Sequence, residues 1–434
     1  MQKKVSFHTL GCKLNFSETS TIARNFSEQG FAKVEFGKNA DVVVINTCTV
    51  TGTADKKCCQ AIKKARKTSP DAFIAVTGCY AQAEADKIAE IPGVDMVLGM
   101  NEKFNIFKHI NDFKKKEKPE IYSCETEAID RFDSAFSSGD RTRSFLKVQD
   151  GCDYPCTYCT IPSVRGKSRS GKVADIVRQA KTISEKGFKE IILTGVNIGD
   201  FGKGSDETFF DSVKALDKVV GIERYRISSI EPNLITDEII EFTAKSDKFL
   251  PHFHIPLQSG SDKILKLMKR RYNTDLFRRK IEKINQLIPD VFLGIDVIVG
   301  FPGETDEDFK DTYHFLESLD ISFLHVFSYS VRPGTPAEKM SGKVSSAEIK
   351  KRSEQLHNLS DLKHSEFYKK FVGTEHKILF EGAKHGNSMF GFTENYIKAE
   401  IPFDKNLINK IVDFRIRGIN ENGHAVEEIS VNYI

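Results

Sequence analysis

The chain is predicted to be an α/β protein built in three parts. An N-terminal open parallel α/β domain spans 1–115, a partial (β/α)6 barrel spans 144–371, and a small all-β barrel spans 372–434, with a linker at 116–143. Three observations predict this layout. Short apolar runs alternate with helical patterning from residue 3 to about 115, and the alternation resumes at Ser144. Charged and polar residues fill the stretch between, among them Lys114, Lys115 and Lys116, then Ser137, Ser138 and Gly139. After about Thr374 the pattern turns to short strands separated by Gly and Asn turns.

In the first domain, Val5–Leu10, Asp41–Ile45 and Phe73–Thr77 read as strands. The first helix is placed over Ser17 to Gln29, where Gly30 supplies a C-terminal stop. Cys12, Cys48 and Cys79 each fall just past the C-terminal end of one of these strands. Ligands of open α/β sheets collect at that edge, so three cysteines distant in sequence can converge on one point. In the second series, strands are expected near 145–149, 190–194, 224–229, 252–256, 292–299 and 322–328. Helices such as 172–187, 233–245, 274–288 and 304–318 separate most of them, and six such steps predict a partial barrel rather than a closed eight-fold one. The last domain is expected to hold strands at His376–Glu381, Tyr396–Glu400, Ile411–Ile419 and Ala425–Asn432.

At 434 residues and 39% hydrophobic, the chain can bury a core in two or three domains. A net charge of +3 neither demands nor excludes a nucleic-acid partner. No run of about 18 apolar residues occurs, so no membrane span is expected. The N-terminus leads into a strand rather than a signal-peptide core, and a cytoplasmic protein is expected. Nine cysteines in such a chain point to metal or redox chemistry rather than a disulfide framework.

Six of those cysteines sort into two triads. Cys152, Cys156 and Cys159 stand in C-D-Y-P-C-T-Y-C, a CxxxCxxC spacing within one loop. Three thiolates supply one ligand fewer than a four-iron cluster needs and leave one iron open for a substrate or cofactor. The second triad, Cys12, Cys48 and Cys79, repeats one context, an apolar strand running into a cysteine. Tetrahedral zinc is the competing reading, but it favours paired C-x2-C knuckles with four Cys or His ligands, and the grouping here is three plus three. Cys58, Cys59 and Cys124 fit neither triad and read as core or incidental thiols.

The CxxxCxxC loop, set after a strand at the opening of βα units, resembles the radical S-adenosylmethionine (SAM) superfamily. The resemblance implies that the open iron chelates SAM and that one electron breaks a carbon–sulfur bond to give a 5′-deoxyadenosyl radical. Tyr158, directly before Cys159, matches the aromatic expected there. The words T-L-G-C-K-L-N at 9–15, N-T-C-T-V-T at 46–51 and T-G-C-Y-A-Q at 77–82 are similar to the N-terminal domain of the methylthiotransferases. In that family the three cysteines hold an auxiliary four-iron cluster, which makes two 4Fe-4S clusters in all. Asn15 and Asn46 would tie down ligand loops, and Gly78 would let the backbone pass close by.

Further segments carry the likeness through the barrel, all at expected C-terminal strand ends, the active-site face of such folds. Thr194, Gly195 and Asn197, then Ser229 and Glu231, His254 and Gln258, Asp296 and Arg332 are the candidates for binding SAM. Basic residues gather at Lys56–Lys67, at Arg141, Arg143 and Lys147, around Arg165, and at Lys269–Lys280. Arg165, Lys167 and Arg169 follow the cysteine loop directly and are read as a phosphate grip beside the chemistry. The C-terminal barrel resembles a TRAM domain, an RNA-binding module of tRNA-modifying enzymes. Over 369–434 it balances nine Lys and Arg against nine Asp and Glu, so a basic face would come from placement, with Lys398, Lys410, Arg415 and Arg417 as candidates.

Within the methylthiotransferases, G-C-K-L-N at 11–15 and I-N-T-C-T-V-T-G-T-A-D at 45–55 are most similar to the branch acting on threonylcarbamoyladenosine in tRNA. The resemblance implies methylthio insertion at C2 of that base, at position 37 beside the anticodon. SAM would serve as both methyl donor and radical source, with tRNA, an external one-electron reductant and a sulfur source as partners. Isopentenyladenosine in tRNA and a ribosomal-protein aspartate are the alternative targets of the same class. A non-catalytic RNA-binding iron–sulfur redox sensor is the alternative of a different class.

Overall fold

The computed structural model describes residues 2–110, 112–139 and 141–427. The first domain is one parallel sheet of β1 Lys4–Thr9, β2 Ala32–Val34, β3 Val42–Thr47, β4 Phe73–Gly78, β5 Met96–Leu98 and β6 Glu120–Tyr122. Its order is β2-β1-β3-β4-β5-β6, every pair parallel. β3 and β4 are buried at every residue, which is why they read as unbroken apolar runs. β6 corrects the linker at 116–143. Glu120, Ile121 and Tyr122 pair with β5, so the sheet extends past residue 115. An edge strand facing solvent carries charge, and that disguised it in composition. The first helix runs Lys13–Glu28, four residues earlier than expected at its start, with Cys12 as its extended N-cap.

The central domain holds β7 Ser144–Lys147, β8 Gln149–Asp150, β9 Arg169–Ser170, β10 Glu190–Thr194, β11 Arg224–Ile227, β12 His252–Gln258, β13 Phe292–Val299 and β14 Phe323–Ser328. Parallel sheets β11-β10-β7 and β12-β13-β14 are joined by bridges Tyr225–Phe249 and Ser229–His254. The result is an open arc of six parallel strands with helices outside, the partial (β/α)6 barrel that the alternation predicted. The short antiparallel pair β8-β9 frames the cysteine loop. One apolar core runs between arc and helices, from Leu146 and Ile191 to Leu293, Leu324 and Leu359.

The third domain contains β15 Glu375–Phe380, β16 Ser388–Thr393, β17 Lys398–Pro402, β18 Ile411–Arg415, β19 Gly418–Ile419 and β20 Ala425–Val426. They order β18-β15-β16-β17-β20-β19, antiparallel except for the β17-β20 contact. β16 lies where no strand was expected. The last expected strand, Ala425–Asn432, is described only to residue 427, and 428–434 lie outside the described residues.

Two contacts set the domains against one another. The helix Lys13–Glu28 buries Ile22 and Phe26 on its own sheet and also meets the edge of the barrel, with Phe16 edge-on to Phe145 at 5.8 Å. Arg24 adds a hydrogen bond to Phe136 O at 2.8 Å and covers the Phe136 ring. At the other end, Arg224 and Arg226 donate to carbonyls of the third domain, and Phe292 meets Phe367 and Tyr396.

Candidate functional site

Cys12, Cys48 and Cys79 follow β1, β3 and β4, which are adjacent in the sheet, so sequence-distant thiols meet at one edge. Gly11, at φ +97°, brings its loop against Cys48; a Cβ there would stand 2.8 Å from Cys48 Sγ. Gly78, at φ +98°, passes so close to β3 that a Cβ would meet Asn46 Oδ1 and Thr47 O at 2.4 Å. Asn15 Nδ2 donates to Leu10 O and Thr47 O, both at 2.8 Å, and Asn46 Nδ2 donates to Asn15 O at 3.0 Å. The two asparagines therefore hold the cysteine loops together.

Cys152, Cys156 and Cys159 line the loop between β8 and the helix Ile161–Arg165. Backbone N–H groups of Tyr154 and Ile161 donate to Cys152 Sγ and Cys159 Sγ at 3.4 Å. Arg270 donates to Cys156 Sγ at 3.0 Å while pairing with Glu231 and bonding Tyr272. Burial pushes the Cys152 and Cys159 thiols up to about 12 and Cys48 up to about 11. Thiolates in such places need a cation to offset them, which is what a metal cluster supplies. Neither triad closes to within 4.8 Å; among the described residues only His254, Asp296 and His325 do. A single tetrahedral zinc would hold its thiolates about 3.8 Å apart, so the wider triads suit a polynuclear cluster instead.

A buried charge network joins the two triads. Arg165 ends the helix after the second triad, yet its Nε donates to Cys79 Sγ of the first at 3.3 Å. Its guanidinium also reaches Asp150 Oδ1 at 2.8 Å, Asn15 Oδ1 at 2.6 Å and Glu18 Oε1 at 3.2 Å. Lys103 and Lys147 add 2.6 and 3.0 Å contacts to Glu18. Burial works to raise the Glu18 carboxyl, but Arg165, Lys103 and Lys147 outweigh it and hold it far below the usual range. A cavity of about 1410 Å³ opens beside this junction, walled by all three cysteines of the second triad and by Thr49, next to Cys48.

Inside the barrel, His254 Nε2 lies 2.6 Å from Asp296 Oδ1, and the His325 ring lies tilted at 4.7 Å from His254. Burial pulls the His325 imidazole down to about 4, so it is neutral at pH 7. Lys13, next to Cys12, lies within electrostatic reach of the same interior. Burial lowers its amine, with Tyr396 and Asp296 opposing and Arg143 and Arg226 adding to that effect.

Several expected site residues are placed elsewhere. Arg165 is 1% exposed and spent on protein partners, so it is no surface phosphate grip. Arg169 is likewise occupied, by Arg131 O, Arg165 O and Asp150. Lys167 is exposed at the cavity mouth. Arg332 crosses to the first domain, donating to Thr49 Oγ1 at 2.7 Å and Asp55 Oδ2 at 2.8 Å, and acts there as an interdomain tie. Gly195 is crowded by Gln149 and Ile198 rather than open to a base, and Gln149 Oε1 accepts from Val196 N and Asn197 N. Thr194 is buried at its strand end, and Asn197 bonds Asp200. Tyr158 packs edge-on to Phe301 at 6.2 Å, and Ser229 bridges to His254. Gln258 sits at a register shift with φ +71°, a conformation rare outside glycine. Lys398 lies over the Phe390 ring, and Arg415 and Arg417 are exposed on the third domain.

Sequence reasoning missed Arg270, His325, Gln149 and Glu18. Arg270 had a signal, its place in Lys269-Arg270-Arg271, but composition read that run as a charge cluster. Glu18 had none, since its partners lie 85 to 147 residues away.

A six-strand βα arc with a three-cysteine loop at its opening defines a radical SAM protein. The profile of the Radical SAM superfamily matches residues 146–316, and that of the uncharacterized protein family UPF0004 matches residues 4–99. The threonylcarbamoyladenosine tRNA methylthiotransferase MtaB of Bacillus subtilis is 41% identical over 95% of this chain and 93% of its own length. Its Thermotoga maritima namesake is 36% identical over 97% and 96%. A Clostridium botulinum tRNA-2-methylthio-N(6)-dimethylallyladenosine synthase is 32% identical over 97% and 96%. The chain belongs to the radical SAM methylthiotransferases and is MtaB-like. Among solved structures, it shares its fold with the radical SAM methyltransferase TsrM of Kitasatospora setae, at a TM-score of 0.54 and 12% identity over 78% of this chain and 77% of that one. Among the described residues no helix is long and apolar enough to cross a membrane.

Proposed function

We propose that this chain inserts a methylthio group at C2 of N6-threonylcarbamoyladenosine at position 37 of tRNA. The observation that carries this reading is the 36–41% identity, over almost the whole chain, to methylthiotransferases of that name. The relative named for dimethylallyladenosine stands further off, at 32%. Cys152, Cys156 and Cys159 would hold one four-iron cluster, and Cys12, Cys48 and Cys79 a second. When bound, clusters and SAM supply the radical, the methyl group and the transferred sulfur.

The protein's own residues then do positional and electrostatic work. Arg270 and Arg165 each hold one sulfur of a triad, and the Glu18–Asp150 network locks the two loops in a single arrangement. His254, Asp296 and a neutral His325 offer hydrogen bonds within the barrel, where SAM would be oriented. Lys167 and Lys269, exposed at the mouth of the larger cavity, are suited to phosphates, with Lys398, Lys410, Arg415 and Arg417 extending a grip across the third domain. An external one-electron reductant and a sulfur source complete the reaction.

Mass spectrometry of tRNA nucleosides from cells with and without the protein tests this reading. Loss of 2-methylthio-threonylcarbamoyladenosine in its absence, restored by the intact chain but not by Cys79→Ala, is the expected result. An unchanged nucleoside profile would sink it.

A further inference from the structure

A groove of about 1220 Å³ runs between the first domain, the edge of the barrel and the third domain, with Cys12 and Lys13 side by side on its wall. Among the described residues Lys13 makes no direct ion pair, and only the more distant Tyr396 and Asp296 favour its charge. The other buried cations of the interior are matched. Arg143 holds Glu381, Lys147 and Arg165 hold Glu18 and Asp150, Arg226 holds Glu190, Arg270 holds Glu231 and Arg332 holds Asp55.

Resting on the reading that the substrate base carries a threonylcarbamoyl group, we propose that Lys13 receives the free carboxylate of that group. A threonylcarbamoyl substituent brings one negative charge into the groove, whereas a dimethylallyl substituent brings none. A carboxylate taken from water needs a charged hydrogen-bond partner, and Lys13 is the unmatched cation in place. Its position fits the chemistry of the base. C2 and C6, the carbon that carries the N6 substituent, flank the same ring nitrogen of adenine. A base whose C2 faces the first triad therefore carries its N6 substituent on the neighbouring edge, within the reach of a long lysine chain beside Cys12.

Binding without turnover tests the assignment, using three forms of one tRNA: the threonylcarbamoyl acid, its methyl ester, and unmodified adenosine at that position. Wild-type reconstituted protein should prefer acid over ester by about tenfold or more. Lys13→Met should bind acid and ester alike while binding unmodified tRNA as the wild type does, and Lys13→Arg should keep the preference. Comparing two ligands on one preparation cancels any difference in folded fraction. Equal affinity of the wild type for acid and ester overturns the proposal, as does a Lys13→Met variant that still prefers the acid. If the wild type fails to methylthiolate the acid form at all, the functional reading falls. If it turns over normally yet ignores the ester change, only the role of Lys13 falls.

Discussion

Each triad has one sulfur held by an arginine: Arg165 on Cys79 and Arg270 on Cys156. Hydrogen bonds to cluster ligands are one of the protein's levers on reduction potential. On the proposed two-cluster reading, Arg270→Met is expected to lower the potential of the second triad's cluster and leave the other unchanged, as read by redox titration of the reconstituted protein. Arg165 belongs to a network whose anionic centre is Glu18, buried among three cations. Removing one partner of such a group costs about 3–5 kcal/mol, so Glu18→Gln should lose that much in denaturant unfolding at pH 7. The pH dependence has a definite sign. A carboxyl held below its unfolded value of about 4 stabilises the fold above that value and surrenders the gain as pH falls below it. The wild type should lose stability on acidification below about pH 4, and the Glu18→Gln variant should lose less over the same window. The six cysteines were legible as residues because spacing and strand ends announce them. Glu18 and Arg165 were not, because a buried charge looks like a surface charge until its distant partner is known.

At the scale of elements, the helix Lys13–Glu28 does two jobs. It starts at Cys12 of the first triad and ends as the clasp that fixes the first domain to the barrel, through Phe16 on Phe145 and Arg24 on Phe136. Ser20 completes the clasp, accepting from Ser138 N at 2.9 Å. Arg24→Ala is expected to loosen that clasp. Hydrogen exchange should quicken at the amides of Ser137 and Ser138, while amides of β3 and β4 keep their protection. Unchanged exchange at Ser137 and Ser138 would show that the helix docks without Arg24. The strands that reasoning from sequence found, β3, β4 and β13 among them, are buried and continuous in apolar residues. Those it missed, β6 and β16, are a charged edge and a short Ser-Met-Phe-Gly-Phe-Thr run with glycine inside, where periodicity is weak.

Across the whole molecule the third domain packs on the barrel where β11 begins. Four of its carbonyls, on Lys377, Phe392, Thr393 and Glu394, accept from Arg224 and Arg226. Deleting residues 374–434 would leave those guanidinium groups short of acceptors and expose Phe292. The truncated chain should unfold at lower temperature than the full chain, beyond any loss of tRNA affinity; an unchanged midpoint would make the third domain a mere appendage. The larger claim is a division of labour between two triads that the fold joins through Arg165. Its most direct test is a reconstituted reaction with SAM, a reductant and threonylcarbamoylated tRNA, with 5′-deoxyadenosine and the methylthio nucleoside measured together. The intact chain should make both. Replacing Cys152, Cys156 and Cys159 with alanine should abolish both, and replacing Cys12, Cys48 and Cys79 should abolish only the methylthio product. SAM cleavage by the first variant, or methylthiolation by the second, would contradict the account.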